Sequence, residues 1–171
     1  MKKYFYMAAL LIVAVFTMTS CGSDEPKEKD TATATYYLTF SQDMLDACSL
    51  ILITYKAENG RNVMEAVTST WWTKTVTSDK FPAEFGVMYK FSTKSESELT
   101  KDKYNLTCDL KFTGKTSKSG SSYNNTVTIL NATDVAKNKV LSTLEKVSGK
   151  STGFKVTKDG IYSAANNLNY D

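Results

Sequence analysis

The side chains with the most distinctive chemistry in this sequence are three cysteines, Cys21, Cys48 and Cys108. Cys21 directly follows a stretch that begins with two lysines, continues as an apolar run over residues 4–16 and ends in small polar residues. A positive start, a short apolar region and small residues at a cleavage point are typical of a secretory signal peptide. The run is shorter than the roughly 20 residues that a transmembrane helix needs. We therefore predict a signal peptide over residues 1–20, removed in front of Cys21.

The four residues Met18-Thr19-Ser20-Cys21 resemble the lipobox of bacterial lipoproteins. The commonest lipobox has leucine three residues before the cysteine, and here Met18 takes that place. The resemblance implies that the thiol of Cys21 carries a diacylglycerol and that the new amine is acylated with a fatty acid such as palmitate. Two or more acyl chains make membrane attachment durable, whereas a single chain holds a protein only marginally.

The residues after Cys21 resemble the surface lipoproteins of Bacteroidetes-type bacteria. Gly22-Ser23-Asp24-Glu25 is small and then acidic, as in the stretch that routes those lipoproteins to the cell surface. Asp30-Thr31-Ala32 resembles the acceptor of their O-glycosylation system, which implies a glycan on Thr31. The resemblance thus predicts an outer-membrane protein facing the cell exterior, with the periplasmic face as the alternative. Residues 21–32 would form a lipidated, charged tether that cannot pack, and residues 33–171 a single domain.

The composition argues against an enzyme. The chain contains no histidine, which excludes Ser-His-Asp and Cys-His nucleophiles, imidazole acid–base catalysis and His-ligated zinc. It also lacks Cys-x-x-Cys and the glycine-rich loops that cradle phosphates. Two carboxylates suffice for glycoside hydrolysis, but no pair stands out among the 18 acids. We therefore expect no catalytic residues, no metal and no cofactor.

The charge balance argues against nucleic-acid binding. The formal net charge is +3 and falls to near +1 once Lys2 and Lys3 leave with the signal peptide. Lysines and acids are interspersed along the chain, whereas a nucleic-acid interface needs a clustered basic face.

Cys48 and Cys108 remain after lipidation of Cys21, in a compartment where disulfides form. Both lie in apolar runs that alternate like strands: Leu106, Cys108, Leu110 and Phe112 share one face, as do Cys48, Leu50 and Leu52. The sequence leaves two interpretations open, a Cys48–Cys108 disulfide or two buried thiols that act as small hydrophobic side chains. The separation of their Cα atoms decides between them.

Two pairs of adjacent aromatic residues, Trp71-Trp72 and Tyr36-Tyr37, are the candidate ligand contacts. Adjacent side chains on a strand face opposite ways, so one member of each pair enters the core and the other lies outward. An outward tryptophan or tyrosine can stack on a sugar ring or anchor a protein partner. The alternative is that a loop or helix covers the outer member as well.

The pattern of the domain is mainly β. Alternation and β-branched or aromatic enrichment predict nine strands, over residues 33–40, 48–56, 61–69, 71–77, 84–92, 103–113, 126–131, 154–157 and 161–163. Helical spacing of apolar residues predicts one helix near 134–148. Residues 114–125 are predicted to form a flexible loop, and 166–171 a polar, weakly structured tail. With one helix available for crossovers, we predict an antiparallel β-sandwich of the immunoglobulin-like or jelly-roll type, with a lipocalin-like β-barrel as the alternative.

We therefore expect a lipid-anchored, non-enzymatic binding or accessory module with a glycan or protein partner. Two alternatives stay open. An assembly subunit of an envelope or pilus-like complex would use its strand edges more than a pocket. A lipocalin-like carrier would enclose an apolar ligand.

Overall fold

The computed structural model describes residues 29–170, so the predicted signal peptide, Cys21 and most of the tether lie outside the described residues. Within this range, nine strands and two short α-helices are formed. The strands are β1 (Ala32–Phe40), β2 (Cys48–Lys56), β3 (Asn62–Val67), β4 (Trp71–Ser78), β5 (Ala83–Thr93), β6 (Lys103–Thr116), β7 (Ser122–Ala136), β8 (Ser151–Val156) and β9 (Tyr162–Ala164). The helices are α1 (Gln42–Ala47) and α2 (Val140–Glu145). Neither has the length and apolarity that a membrane span needs.

The strands form two separate antiparallel sheets. The order is β4-β1-β6-β7 in the four-stranded sheet and β3-β2-β5-β8-β9 in the five-stranded sheet. The predicted β-sandwich is confirmed. The alternative of a lipocalin-like barrel is wrong, because the described strands do not close into one sheet.

The core lies between the sheets and is set by period-two alternation. In β1 and β6 every second residue is buried, which includes the predicted row of Leu106, Cys108, Leu110 and Phe112. Burial of this apolar row stabilises the fold by removing it from water. The interior is filled by aromatic rings, for example Phe112 against Phe154 with ring centroids 5.6 Å apart.

The Tyr36 hydroxyl bridges β2 and β5 of the opposite sheet. Its hydroxyl donates to the carbonyl of Lys56 at 2.6 Å and accepts from the amide of Gly86 at 3.2 Å, and both bonds are buried. The ladder between β2 and β5 ends at Tyr55 opposite Val87, one residue before these two groups. The hydroxyl therefore satisfies two backbone groups that the ladder leaves unpaired.

The C-terminal tail is packed, which corrects the prediction of a weakly structured segment. Gly86 and Gly153 are opposite each other on β5 and β8, and a Cβ at either position would lie within 2.8 Å of a methyl carbon of Leu168. The two glycines thus make room for the buried Leu168 side chain. Asn169 accepts a hydrogen bond from the Lys56 ammonium through its carbonyl, and that ammonium also lies 5.1 Å from the centre of the Tyr170 ring.

The segment between residues 114 and 136 also differs from the prediction. β6 extends to Thr116 and β7 begins at Ser122, so most of the predicted loop 114–125 is a hairpin. Its serine, glycine and asparagine residues have low intrinsic strand preference, but the long neighbouring strand β6 offers them a complete ladder. Residues 134–136 belong to β7, so the predicted helix shortens to α2, which buries Val140 and Leu144.

The two remaining cysteines are buried free thiols, so the Cys48–Cys108 bridge is not formed. The expected face of Cys48, Leu50 and Leu52 is wrong. A register shift between Cys48 and Leu50 turns Leu50 outward and places Ile51 in the core.

A candidate ligand-binding face

The outer face of the four-stranded sheet is exposed and rich in hydroxyl groups. Because the inward residues of β1, β4 and β6 fill the core, the alternate residues point outward. We call this surface the threonine face. Its members are Thr33, Thr35, Tyr37 and Thr39 of β1, Trp71, Thr73, Thr75 and Thr77 of β4, and Asp109, Lys111, Thr113 and Lys115 of β6.

Two aromatic side chains stand on the threonine face. Trp71 is 56% exposed and Tyr37 is 43% exposed. Tyr37 is directly opposite Thr73, so Trp71 is its diagonal neighbour across β1 and β4. Diagonal neighbours in an antiparallel pair lie about 7–8 Å apart, within reach of one extended ligand. The face therefore offers two adjacent aromatic surfaces to one partner.

Hydrogen-bonding groups lie beside Tyr37 and continue along the face toward Thr33. Thr33 pairs with Thr77 through their hydroxyl oxygens at 3.1 Å, and Thr35 with Thr75 at 2.8 Å. A shallow groove of about 280 Å³ is lined by Thr35, Tyr37, Lys111 and Thr113. The Lys111 ammonium has no carboxylate partner within residues 29–170, so it is available as a hydrogen-bond donor in the groove.

The other members of the two predicted pairs, Trp72 and Tyr36, are buried. Trp72 is 7% exposed, Tyr36 is 0% exposed, and their rings stack with centroids 6.4 Å apart and an interplanar angle of 11°. Burial removes these two from the candidate ligand contacts, and it agrees with the expectation that one member of each pair enters the core. Their side chains hold the two sheets together.

A polar cluster around Glu65 fixes Trp72 from the facing sheet. The Glu65 carboxylate accepts hydrogen bonds from Trp72 Nε1 at 3.0 Å and from the Tyr55 hydroxyl at 3.0 Å, and Lys74 Nζ lies 2.9 Å away. Burial acts to raise the pKa of Glu65, but the bonds from Lys74, Trp72 and Tyr55 outweigh it and hold the pKa below its ordinary value. Because Glu65 is on β3 and Trp72 on β4, this cluster ties the two sheets together at one open side of the sandwich.

Thr31, the predicted glycosylation site, lies at the opposite end of the sheet from Trp71. Its amide donates to the Ser117 hydroxyl at 2.9 Å, and its carbonyl accepts from the Ser117 amide at 2.9 Å. Thr39 lies eight residues after Thr31 in the chain, and Trp71 is directly opposite Thr39 on β4. At about 3.3 Å per residue the two ends are roughly 25 Å apart.

A lysine-lined groove that no sequence pattern predicts lies at the Thr31 end of the sandwich. It measures about 840 Å³ and is lined by Lys29, Asp30, Asp79, Lys80, Phe81, Lys118 and Lys158. Lys29 pairs with Asp79 at 3.7 Å and Lys158 with Asp30 at 3.2 Å, whereas Lys80 and Lys118 have no carboxylate partner among the described residues. These lysines come from four separate segments, so no local pattern predicts that they converge.

Sequence reasoning also missed the threonines as a set, although the signal was present. In β1 every second residue from Thr33 to Thr39 carries a hydroxyl group, and these residues alternate with the buried row that ends in Phe40. The local sequence does not show that β4 pairs with β1, because β2 and β3 lie between these two strands in the chain.

Comparisons with protein-family models, curated proteins and solved structures found no match to this chain.

Proposed function

We propose that this protein is a lipid-anchored lipoprotein of a bacterial outer membrane that binds a glycan on its threonine face. The observation that carries this proposal is the placement of Trp71 and Tyr37 as diagonal neighbours on one exposed, hydroxyl-rich sheet surface. Aromatic rings present large, rigid apolar surfaces at low entropic cost, and the apolar faces of sugar rings stack on them. Threonine hydroxyls and Lys111 supply hydrogen bonds to the sugar hydroxyl groups around the ring.

The shape of the face favours an extended glycan over a small enclosed ligand. Small-molecule sites are concave and bury most of the ligand. The threonine face is a sheet surface with a groove of about 280 Å³, and the space between the sheets is filled by packed aromatic side chains. A flat surface with several hydroxyl groups suits a chain of sugars that lies across the strands. The same packed interior gives no support to an apolar carrier.

The position of the face suits a ligand that approaches from the side away from the membrane. A lipid on Cys21 would hold the Thr31 end of the domain close to the membrane, because only seven residues lie between Cys21 and Lys29. Trp71 lies at the other end of the sheet, so the aromatic pair would point away from the membrane. The lysine-lined groove at the near end would face the anionic lipid head groups.

Glycan binding is tested with the chain from residue 21 carrying Cys21→Ala, screened against immobilised glycans. For a glycan that is retained, Trp71→Ala and Tyr37→Ala should each weaken binding about tenfold or more, since truncation of a central aromatic contact costs 2 kcal/mol or more. Met64→Ala is the matched control, because Met64 is 61% exposed on β3 of the other sheet. Retention of no glycan, or equal effects of Trp71→Ala and Met64→Ala, would contradict the proposal.

The anchor and the orientation need separate tests. Metabolic labelling with a fatty acid should mark the wild type and not Cys21→Ala, and the variant should leave the membrane fraction. Protease treatment of intact cells should remove the domain while a periplasmic marker survives. A labelled or membrane-bound Cys21→Ala protein would contradict lipidation, and a protected domain would contradict the outward orientation.

A further inference from the structure

Strand β7 is an unusually long free edge. It spans Ser122–Ala136, pairs with β6 on one side, and has no strand on its other side within residues 29–170. A free edge presents unpaired N–H and C=O groups, and natural proteins shorten, charge or cover such edges to prevent pairing with another chain.

The other three sheet edges carry such protection. β9 is only three residues long. β3 and β4 are edges on the same side of the sandwich, and the Lys74–Glu65 ion pair connects their charged side chains. Residues 122–133 of β7 contain neither a charged residue nor proline. β7 has bulges, but they begin at Ile129, so residues 122–128 are the long regular stretch that lacks these devices among the edges formed by the described strands.

The apolar side chains of β7 are incompletely covered. None of the strand's 15 residues is buried. Yet its inward row contains apolar side chains that pack partly against the core, namely Tyr123, Leu130 and Val135, with Ile129 at the bulge. Tyr123 stacks on Tyr162 of β9 in the facing sheet, with ring centroids 5.2 Å apart, yet it is only half-buried. The edge therefore has half-buried apolar surface in addition to its unpaired backbone groups.

We propose that β7 is a homodimer interface, in which the same strand of a second copy pairs with it antiparallel and joins the two four-stranded sheets into one. The uncharged segment favours a second copy, since antiparallel self-pairing brings neutral residues onto neutral residues and meets no like-charge repulsion. A two-fold axis makes such an interface self-complementary and closed, so pairing stops at the dimer. This inference concerns a different surface from the threonine face and does not depend on glycan binding.

The bulges of β7 fix where the axis must lie. Residues 122–128 pair regularly with β6, and the register shifts between Thr128 and Leu130. Side chains of two paired strands must face the same way at each position, so the regular stretch pairs with itself about its centre, Asn125. Tyr123 of one copy then lies opposite Val127 of the other, and the two Asn125 residues face each other. Opposite residues have Cβ atoms about 4.5–5.5 Å apart.

This geometry can be tested by crosslinking. Cα atoms 4.4–6.8 Å apart permit a disulfide, so Asn125→Cys should give a covalent dimer under mild oxidation of the Cys21→Ala chain from residue 21. Asn131→Cys is the matched control, since Asn131 is exposed on the same strand but lies six residues from the axis. Crosslinking at 131 in place of 125, or at neither position, overturns the proposal.

The non-covalent dimer is tested by sedimentation velocity on the same chain. Asn125→Lys places two positive charges opposite each other and should raise the dimer dissociation constant about tenfold or more. Asn131→Lys should leave it unchanged. Unfolding curves of both variants establish that each still folds. A wild type that stays monomeric throughout the accessible concentration range, or a dimer that Asn125→Lys does not weaken, overturns the proposal.

Discussion

The Tyr36 hydroxyl should make a large and separable contribution to stability. Tyr36→Phe removes one oxygen and keeps the ring stacked on Trp72 and edge-to-face with Phe112. It also leaves the Lys56 carbonyl and the Gly86 amide without their hydrogen-bond partner in a buried environment. Each orphaned buried group costs about 1–3 kcal/mol. Since the variant no longer has to bury a hydroxyl, the two costs are partly offset, and we expect a loss of about 2–4 kcal/mol in the free energy of unfolding.

Tyr37→Phe is the matched control, because it removes the same atom from the adjacent, exposed residue. Surface substitutions of this kind usually change stability by less than about 0.5 kcal/mol. Urea unfolding followed by fluorescence should give equal m-values for both variants and a lower midpoint for Tyr36→Phe alone. Hydrogen exchange of the Gly86 amide should accelerate in the same variant. If the two variants unfold at the same midpoint, the hydroxyl does not bridge β2 and β5 and the reasoning is refuted.

Three further outcomes follow from the core and the tail. Burial raises the pKa of Cys48 to about 12 and also raises the pKa of Cys108, so in Cys21→Ala protein both thiols should react slowly with a disulfide reagent at pH 8 and quickly in denaturant. Fast reaction of the folded protein would contradict the burial of these thiols. Burial raises the pKa of Tyr36 well above its ordinary value of 10.0, so the contribution of this residue to stability should be complete below pH 10 and decline above it. Unfolding midpoints that stay constant above pH 10 would contradict this. Leu168→Ala should cost about 2–3 kcal/mol and expose the C-terminal tail to carboxypeptidase, whereas unchanged digestion would show that the tail is not held there.

The strands predicted best from the sequence were those whose two faces differ most. In β6 the buried face is apolar from Leu106 to Phe112 and the other face is polar, so alternation identifies both the strand and its inward residues. β2 was placed correctly at both ends. The buried face of this strand was predicted incorrectly, because the bulge after Cys48 changes the face on which Leu50 lies. No residue type at this position predicts the bulge.

The segments predicted worst were those whose structure depends on a distant partner. The residues of β7 have composition typical of a loop, and they form a strand because β6 continues beside them. Residues 166–170 are asparagines apart from Leu168 and Tyr170, and they pack because Gly86 and Gly153 leave space on the sheet. Neither the length of a neighbouring strand nor a paired gap in another sheet can be read from the local sequence.

The candidate site was half predictable for the same reason, and its geometry follows from that of the core. Alternation already implied that each aromatic pair divides between core and surface. The pairing of β1 with β4 adds that Tyr36 and Trp72 are diagonal neighbours on the inner face, where their rings stack. Because the strands are antiparallel, one step forward from Tyr36 and one step back from Trp72 give the same diagonal relation on the outer face, so Tyr37 and Trp71 must also be neighbours. The register that packs the inner pair therefore positions the outer pair, and a change that slips β4 against β1 would separate both.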